Sequence, residues 1–263
     1  MGVKGYVMQL QPFSVNDGDG IRTTIFMAGC PLRCKWCCNP EGFTAEEKRN
    51  VKTGEKMVTL MDADDVLKQI QKHRLFYSYS GGGITFSGGE ATQQIEFLDY
   101  LTEHIYDMGY SMALETSCMF DWDRTEHILR RMDLIFADIK MMDPKRHLKW
   151  TSVSNEKILE NIKKLGTLAQ GSGDEDPRIV IRIPVVGSVN DDEENIRRTA
   201  EFVREYLPNS GMELLPYHEL GKIKYEALGI PYDNAGLGIP DKDQMERLKM
   251  LVTDEGVGLC DYR

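Results

Sequence analysis

Ile21-Arg-Thr-Thr-Ile-Phe-Met27 leads through Ala28 into Gly29-Cys-Pro-Leu-Arg-Cys-Lys-Trp-Cys-Cys-Asn39. The first stretch has the β-branched and aromatic content of a buried strand. The second is a loop, because Arg33 and Lys35 between its cysteines make it a poor core segment. Thiolates at Cys30, Cys34 and Cys37, spaced C-x3-C-x2-C, can wrap that loop around one metal centre. An iron–sulfur cube closed by protein normally takes four thiolates, so three leave one iron open to a substrate. Structural zinc is the alternative, but it wants a fourth ligand, usually from two separated pairs. Cys38 points away from its neighbour in most backbone conformations. Cys38, Cys118 and Cys260 have no comparable spacing and read as packing thiols.

Strand-like runs recur outward from this point, at Gly83 to Phe86, Ser111 to Leu114, Leu134 to Ala137, Arg178 to Val186 and Met212 to Leu215, giving six with Ile21 to Met27. Helical patterns alternate with them at Asp62 to His73, Ile95 to Met108, Asp123 to Met132, Asn155 to Leu168, Asp192 to Tyr206 and Asp241 to Val252. Six right-handed βα units predict an α/β fold with a parallel sheet, either open and doubly wound or a partial barrel. In both, ligands lie beyond the C-terminal ends of the strands. Cys30, Gly88, Glu115 and Asp138 follow the first four strands, and Arg182 and His218 lie in or just beyond the last two. All are expected at one mouth.

The chain has 263 residues, 41% hydrophobic and 28% charged, enough for one sizeable core, and residues 1–263 are expected to form one domain. Acidic residues outnumber basic ones, 42 to 32, and the net charge of -10 argues against nucleic acid as a partner. Met1-Gly-Val-Lys-Gly-Tyr-Val-Met-Gln-Leu10 lacks a basic start and an apolar signal core. No stretch approaches the roughly 20 apolar residues of a membrane span. The expected compartment is the cytoplasm, with no membrane partner. Four of six cysteines crowd between positions 30 and 38, which points to metal or redox chemistry rather than disulfides. Gln170 to Pro177 has the composition of a surface loop, and Gly81 to Gly83 that of a turn.

The triplet, with Trp36 directly before its third cysteine, is similar to the cluster motif of the radical S-adenosylmethionine (SAM) superfamily. Asp19-Gly-Ile-Arg22, Ser87-Gly-Gly-Glu90, Asp138-Ile-Lys140, Arg182-Ile-Pro184, Leu214-Leu-Pro-Tyr-His-Glu-Leu-Gly221 and Lys224-Tyr-Glu-Ala-Leu-Gly229 resemble the activating enzymes of glycyl radical enzymes. The resemblance covers almost the whole chain. Asn39 to Asp62 holds no cysteine, so the ferredoxin-like insert of many members is missing, as in pyruvate formate-lyase activases. Cys37-Cys-Asn-Pro-Glu41 looks more like activases of dehydratase-type or amine-lyase-type enzymes.

The resemblance implies an incomplete (β/α)6 TIM-type barrel and an oxidoreductase that cleaves SAM reductively. The resulting 5′-deoxyadenosyl radical takes a glycine α-hydrogen from a partner, pyruvate formate-lyase in the first reading. The alternatives are a dehydratase-type or amine-lyase-type partner, or a small-molecule substrate. Cys30, Cys34 and Cys37 would hold a 4Fe–4S cluster with one open iron. Trp36, Gly88, Gly89, Glu90, Glu115, Asp138, Lys140, Arg182 and His218 would contact SAM, with Gly88 to Glu90 at its amino group. Lys140 and Arg182 would hold its carboxylate or ribose through charge-assisted bonds. Glu115, where the family has aspartate, with Thr116 and Asp138 would bind a monovalent cation. Asp17 matches a position near the bound glycine loop. A flavodoxin or ferredoxin would donate the electron, and the protein would act as a monomer. Read without the resemblance, each of these residues has a plain counterpart: a turn glycine, a surface ion pair, a structural histidine.

Overall fold

A computed structural model describes residues 2–170, 176–234 and 236–262. In chain order the elements are β1 (Lys4–Ser14), β2 (Arg22–Met27), β3 (Lys48–Arg49), β4 (Lys56–Asp62), α1 (Ala63–Gln71), α2 (Arg74–Ser80), β5 (Gly83–Gly88), α3 (Ile95–Asp107), β6 (Ser111–Thr116), α4 (Trp122–Leu129), β7 (Leu134–Asp138), α5 (Pro144–Thr151), α6 (Glu156–Leu168), β8 (Arg178–Val185), α7 (Glu193–Tyr206), β9 (Gly211–Pro216), α8 (Lys222–Leu228) and α9 (Lys242–Asp254). They build one nine-stranded sheet in the order β3-β4-β1-β2-β5-β6-β7-β8-β9. From β2 to β9 every pairing is parallel. This is the α/β fold of an incomplete six-stranded TIM-type barrel, its sheet curved but not closed.

Strand alternation sorts the residues between the two faces of that sheet. Ile84, Phe86, Leu114, Ile135, Ile181, Ile183 and Leu214 face outward and pack in the main core with Leu98, Leu101, Ile128, Ile162, Leu165, Ile196 and Leu248 of the surrounding helices. The residues between them face inward. Ala113, Leu134, Phe136 and Val180 make a small apolar plug at the strands' N-terminal end. One or two steps along, the inward positions turn polar: Ser87, Glu115, Asp138, Arg182 and Glu213. Five helices start where an aspartate side chain (Asp62, Asp121, Asp143, Asp192 or Asp241) accepts a backbone N–H of the first turn. Each cap is worth about 1 kcal/mol.

All six expected strands form, and β1, β3 and β4 add an antiparallel flank that composition did not announce. β1 needs Gly5, where a Cβ would collide with the Phe97 ring. Residues 39 to 62, the stretch without cysteine, form a short 3-10 turn and the β3–β4 hairpin. Gly81 is the turn residue expected, a left-handed cap ending α2, whereas Gly83 already belongs to β5. The surface loop expected between Gln170 and Pro177 falls outside the described residues at 171–175. Among the described residues no helix is long and apolar enough to cross a membrane.

Candidate active site

Beyond the C-terminal ends of β2 and β5 to β9 lies a cavity of about 290 Å³. Of the expected residues it gathers Cys30, Cys34, Trp36, Cys37, Gly88, Gly89, Glu115, Thr116, Asp138, Lys140 and Arg182. Ser117 and Phe43, which sequence reasoning passed over, and Ser87, Pro184 and Leu215, quoted in the motifs but given no role, complete the wall with Leu32, Cys38 and Asn39.

The cluster loop is held from three sides. The Gly29 N–H donates to the Gly42 carbonyl (2.8 Å), the Arg33 N–H to Thr151 (2.7 Å) and the Lys35 N–H to Trp150 (3.1 Å). Below it, the Gly89 N–H bonds the Met27 carbonyl and the Glu90 N–H that of Gly29. A Cβ on Gly89 would stand 2.5 Å from the Gly29 carbonyl oxygen, so glycine serves backbone-to-backbone contact between this turn and the cluster loop. Gly221 does the same from the opposite side, where a Cβ would sit 2.8 Å from the Cys38 Cα. Burial pushes the Cys30 thiol up to about 11 and the Cys34 thiol to about 12. These thiols therefore stay protonated until a metal centre displaces the protons. Among the described residues no group of three or more His, Cys, Asp and Glu stands placed to hold a single metal ion.

Inside the cavity the charges are already paired. Lys140 lies 2.6 Å from Asp138; burial opposes its charge, but this carboxylate holds its pKa above the ordinary lysine value. The Arg182 guanidinium donates from Nη1 to Glu115 (2.5 Å) and from Nε to Glu213 (2.7 Å), and lies 3.5 Å over the Phe136 ring. The other Glu115 oxygen accepts from the Ser87 hydroxyl. Arg182 thus reaches the cavity as the centre of a carboxylate pair rather than as a free cation.

Three expected contacts are placed differently. Glu90 is fully buried behind the wall, where one oxygen accepts from the Thr92 N–H and the other from the Ser117 N–H, with Thr92, Thr116 and Ser117 hydroxyls adding to both. It braces the turn instead of lining the cavity. His218 is exposed and caps the 3-10 turn at Glu219–Gly221 by accepting the Leu220 N–H. It borders an adjoining groove shared with Met8, Phe26, Glu41 and Lys224, which meets the cavity at Cys38 and Asn39. The expected cation trio is not drawn together, since Thr116 turns its hydroxyl to Glu90 while Glu115 and Asp138 each hold a protein cation. Asp17 sits under the cavity and accepts from Ser14 and Thr24, both at 2.6 Å.

A partial barrel with three cysteines after its first parallel strand is the arrangement of a radical SAM protein, and residues 24–200 match the Radical SAM superfamily. The (2S)-3-sulfopropanediol dehydratase activating enzyme of Klebsiella oxytoca is 33% identical over 94% of this chain and 92% of its own length. The trans-4-hydroxy-L-proline dehydratase activating enzyme of Clostridioides difficile is 32% identical over 93% and 95%. The first alignment spans 300 positions, so that relative carries stretches with no counterpart among these 263 residues. A crystallised domain of the pyruvate-formate lyase-activating enzyme of Bacteroides vulgatus superposes with a TM-score of 0.55 at 28% identity, covering 68% of this chain and 98% of that domain. A radical SAM methyltransferase of Sphaerobacter thermophilus shares the fold at 15% identity (TM-score 0.60, 97% and 76% covered). The chain belongs to the radical SAM superfamily and, within it, to the activating enzymes of glycyl radical enzymes. Proteins of this family use a 4Fe–4S cluster and SAM. The donor set fits them: three thiols on one tethered loop, above a cavity whose glycine wall admits close approach.

Proposed function

We propose that this chain installs a glycyl radical on a partner of the dehydratase type, with pyruvate formate-lyase as the second reading. The Cys37-Cys-Asn-Pro-Glu41 run and the dehydratase activases among the relatives support the first; the shared domain with a pyruvate-formate lyase-activating enzyme favours the second. When bound, the cluster and SAM supply one-electron cleavage of the bond from sulfur to the 5′ carbon and the hydrogen-abstracting radical. Cys30, Cys34 and Cys37 would hold three of the cluster's irons. The Gly88–Gly89 turn offers its backbone to the SAM amino group, and Lys140, fixed by Asp138, offers its remaining N–H donors to the ligand's oxygens. Arg182, which also donates from Nη2 to the Asn16 carbonyl (3.3 Å) and so has two N–H donors left over, orients Glu115. Trp36, Leu32 and Leu215 keep water from the reacting atoms. A flavodoxin or ferredoxin supplies the electron. The chain works as one domain and as a monomer, without the ferredoxin-like insert, in the cytoplasm.

The observation that carries this reading is the convergence of the cysteine loop and the ends of β5 to β8 on one cavity in a sheet that is not closed, leaving room for a partner's peptide loop. The reduced protein, SAM and a dehydratase-type glycyl radical enzyme are expected to give a doublet in electron paramagnetic resonance. Deuterium placed on the partner's glycine should appear in 5′-deoxyadenosine. Reductive SAM cleavage with no radical on any glycyl radical partner overturns the reading and promotes a small-molecule substrate.

A further inference from the structure

The chain carries a net charge of -10, yet no acidic residue occurs from Ile21 to Pro40, the stretch that includes the cluster loop. Arg33 and Lys35, both exposed, stand between the cysteines, and exposed Lys149 joins them from the last turn of α5. Among the described residues none of these cations is paired with a carboxylate within salt-bridge distance. Arg33 donates to the Cys30 and Leu32 carbonyls (2.6 and 2.7 Å) and lies 4.9 Å over the Phe43 ring. The Lys35 and Lys149 ammonium groups lie 5.3 and 5.1 Å from the centre of one ring, Trp150. Leu148, 53% exposed, adds an apolar surface beside them. Trp150 also reaches inward: it packs against the same apolar group as Cys34, the one formed by Trp36, Met141, Val186, Val189 and Tyr217. A partly exposed indole and a cluster ligand therefore share one packed medium. The backbone bonds from Arg33 and Lys35 to Thr151 and Trp150 fix the end of α5 to the cluster loop.

We propose that the face made by Arg33, Lys35, Lys149 and Trp150 docks an acidic one-electron donor protein, of the flavodoxin or ferredoxin class, and that the electron enters the cluster there. The inference rests on the protein donor proposed above and adds where it binds. An acidic protein is repelled by most of this surface and attracted here, so local charge steers the encounter and selects its orientation. The step balances simply: the donor loses one electron, the cluster gains one, and no proton or bond changes hands.

The test uses the protein with its cluster reconstituted and photoreduced flavodoxin as probe. Cluster reduction is followed by stopped-flow absorbance and donor affinity by calorimetry. Lys149→Glu, which lies outside the cluster loop, is expected to slow reduction by flavodoxin about tenfold or more at low salt and to weaken binding in parallel. That gap should close at high salt, and reduction by dithionite should not change. Lys35→Glu with Lys149→Glu should deepen the loss. Flavodoxin rates and affinities within about twofold of wild type for both variants at low salt overturn the docking face. If a variant fails to hold its cluster, the wild-type salt profile decides: a flavodoxin rate indifferent to ionic strength overturns the proposal equally. A wild-type cluster that accepts electrons from dithionite but from neither flavodoxin nor ferredoxin sinks the donor class itself, an outcome separate from failure of the face alone.

Discussion

Nη1 of Arg182 on β8 stands 2.5 Å from Oε1 of Glu115 on β6, an ion pair that bridges over β7 in the wall of the cavity. Glu213 on β9 takes the other edge of the same guanidinium at 2.7 Å, and the ring of Phe136 lies beneath it. Arg182 and Glu213 are all but inaccessible to solvent, so their charges depend on one another. Glu213 also accepts the Tyr262 N–H, which ties the end of the chain to the barrel floor. Arg182 therefore sets the shape of the site before any ligand arrives.

Arg182→Ala is expected to destabilise the protein before ligand binding is considered. It strands two carboxylates, and removing one partner of a buried pair costs about 3–5 kcal/mol. For a chain of this size that lowers Tm by roughly 10 °C. Thermal unfolding of the cluster-free protein checks it; an unchanged Tm would mean that Glu115 and Glu213 do not rely on this cation.

Replacing Cys30, Cys34 or Cys37 singly with Ala should abolish the cluster and reductive SAM cleavage, whereas Cys38→Ala should keep both. Cys38 borders both the cavity and the adjoining groove, outside the C-x3-C-x2-C spacing of the other three. Iron content and 5′-deoxyadenosine yield measure the outcome. Loss of iron from Cys38→Ala with retention in Cys37→Ala would reverse the ligand assignment.

The parallel strands were legible because burial on both faces turns them into continuous apolar runs. β1 was not: it pairs antiparallel on both sides, its register slips twice against β2, and its Gln9 and Gln11 interrupt any apolar run. α2, α5 and α8, seven or eight residues long, show little helical period, whereas α4, also eight, was read from its run Asp123 to Met132. In the site, Glu115, Asp138 and Arg182 could be read because each is a charge at the end of a strand. Their pairings could not, since Arg182 meets Glu213 from 31 residues away. A signal did exist in Met212-Glu-Leu-Leu215, where one acid in an apolar strand marks an inward position that must find a cation.

His147 gives a pH-dependent stability. It is buried on α5, where Nδ1 donates to the Val153 carbonyl at 2.7 Å, and burial lowers its pKa below the ordinary histidine value of 6.5. As pH falls through 6.5 the unfolded chain takes up a proton that the folded state refuses, so stability drops until the folded pKa is reached. Tm measured from pH 7.5 to 5 should fall less steeply for His147→Gln than for wild type. Parallel curves would mean that His147 does not contribute to the acid sensitivity.

Glu90 separates two roles that a sequence motif cannot distinguish. If it bound SAM directly, its removal would leave the ligand-free protein as stable as before and weaken only SAM. The structure instead gives it five contacts of 2.6 to 3.0 Å from Thr92, Thr116 and Ser117, a longer one of 3.4 Å from the Thr92 N–H, and no face on the cavity. Each carboxylate oxygen meets a main-chain N–H, one from Thr92 and one from Ser117. Glutamine has the same shape, but whichever way its amide is turned, an NH2 group faces one of those donors. Glu90→Gln should therefore fail much as Glu90→Ala does. Both leave a buried N–H unsatisfied, at about 1–3 kcal/mol for each group stranded. Denaturant unfolding of the ligand-free protein should show that loss in both variants, and SAM affinity should fall because the Gly88–Gly89 turn is no longer held. Wild-type stability in Glu90→Gln, combined with weakened SAM binding, would return Glu90 to the ligand's own contacts.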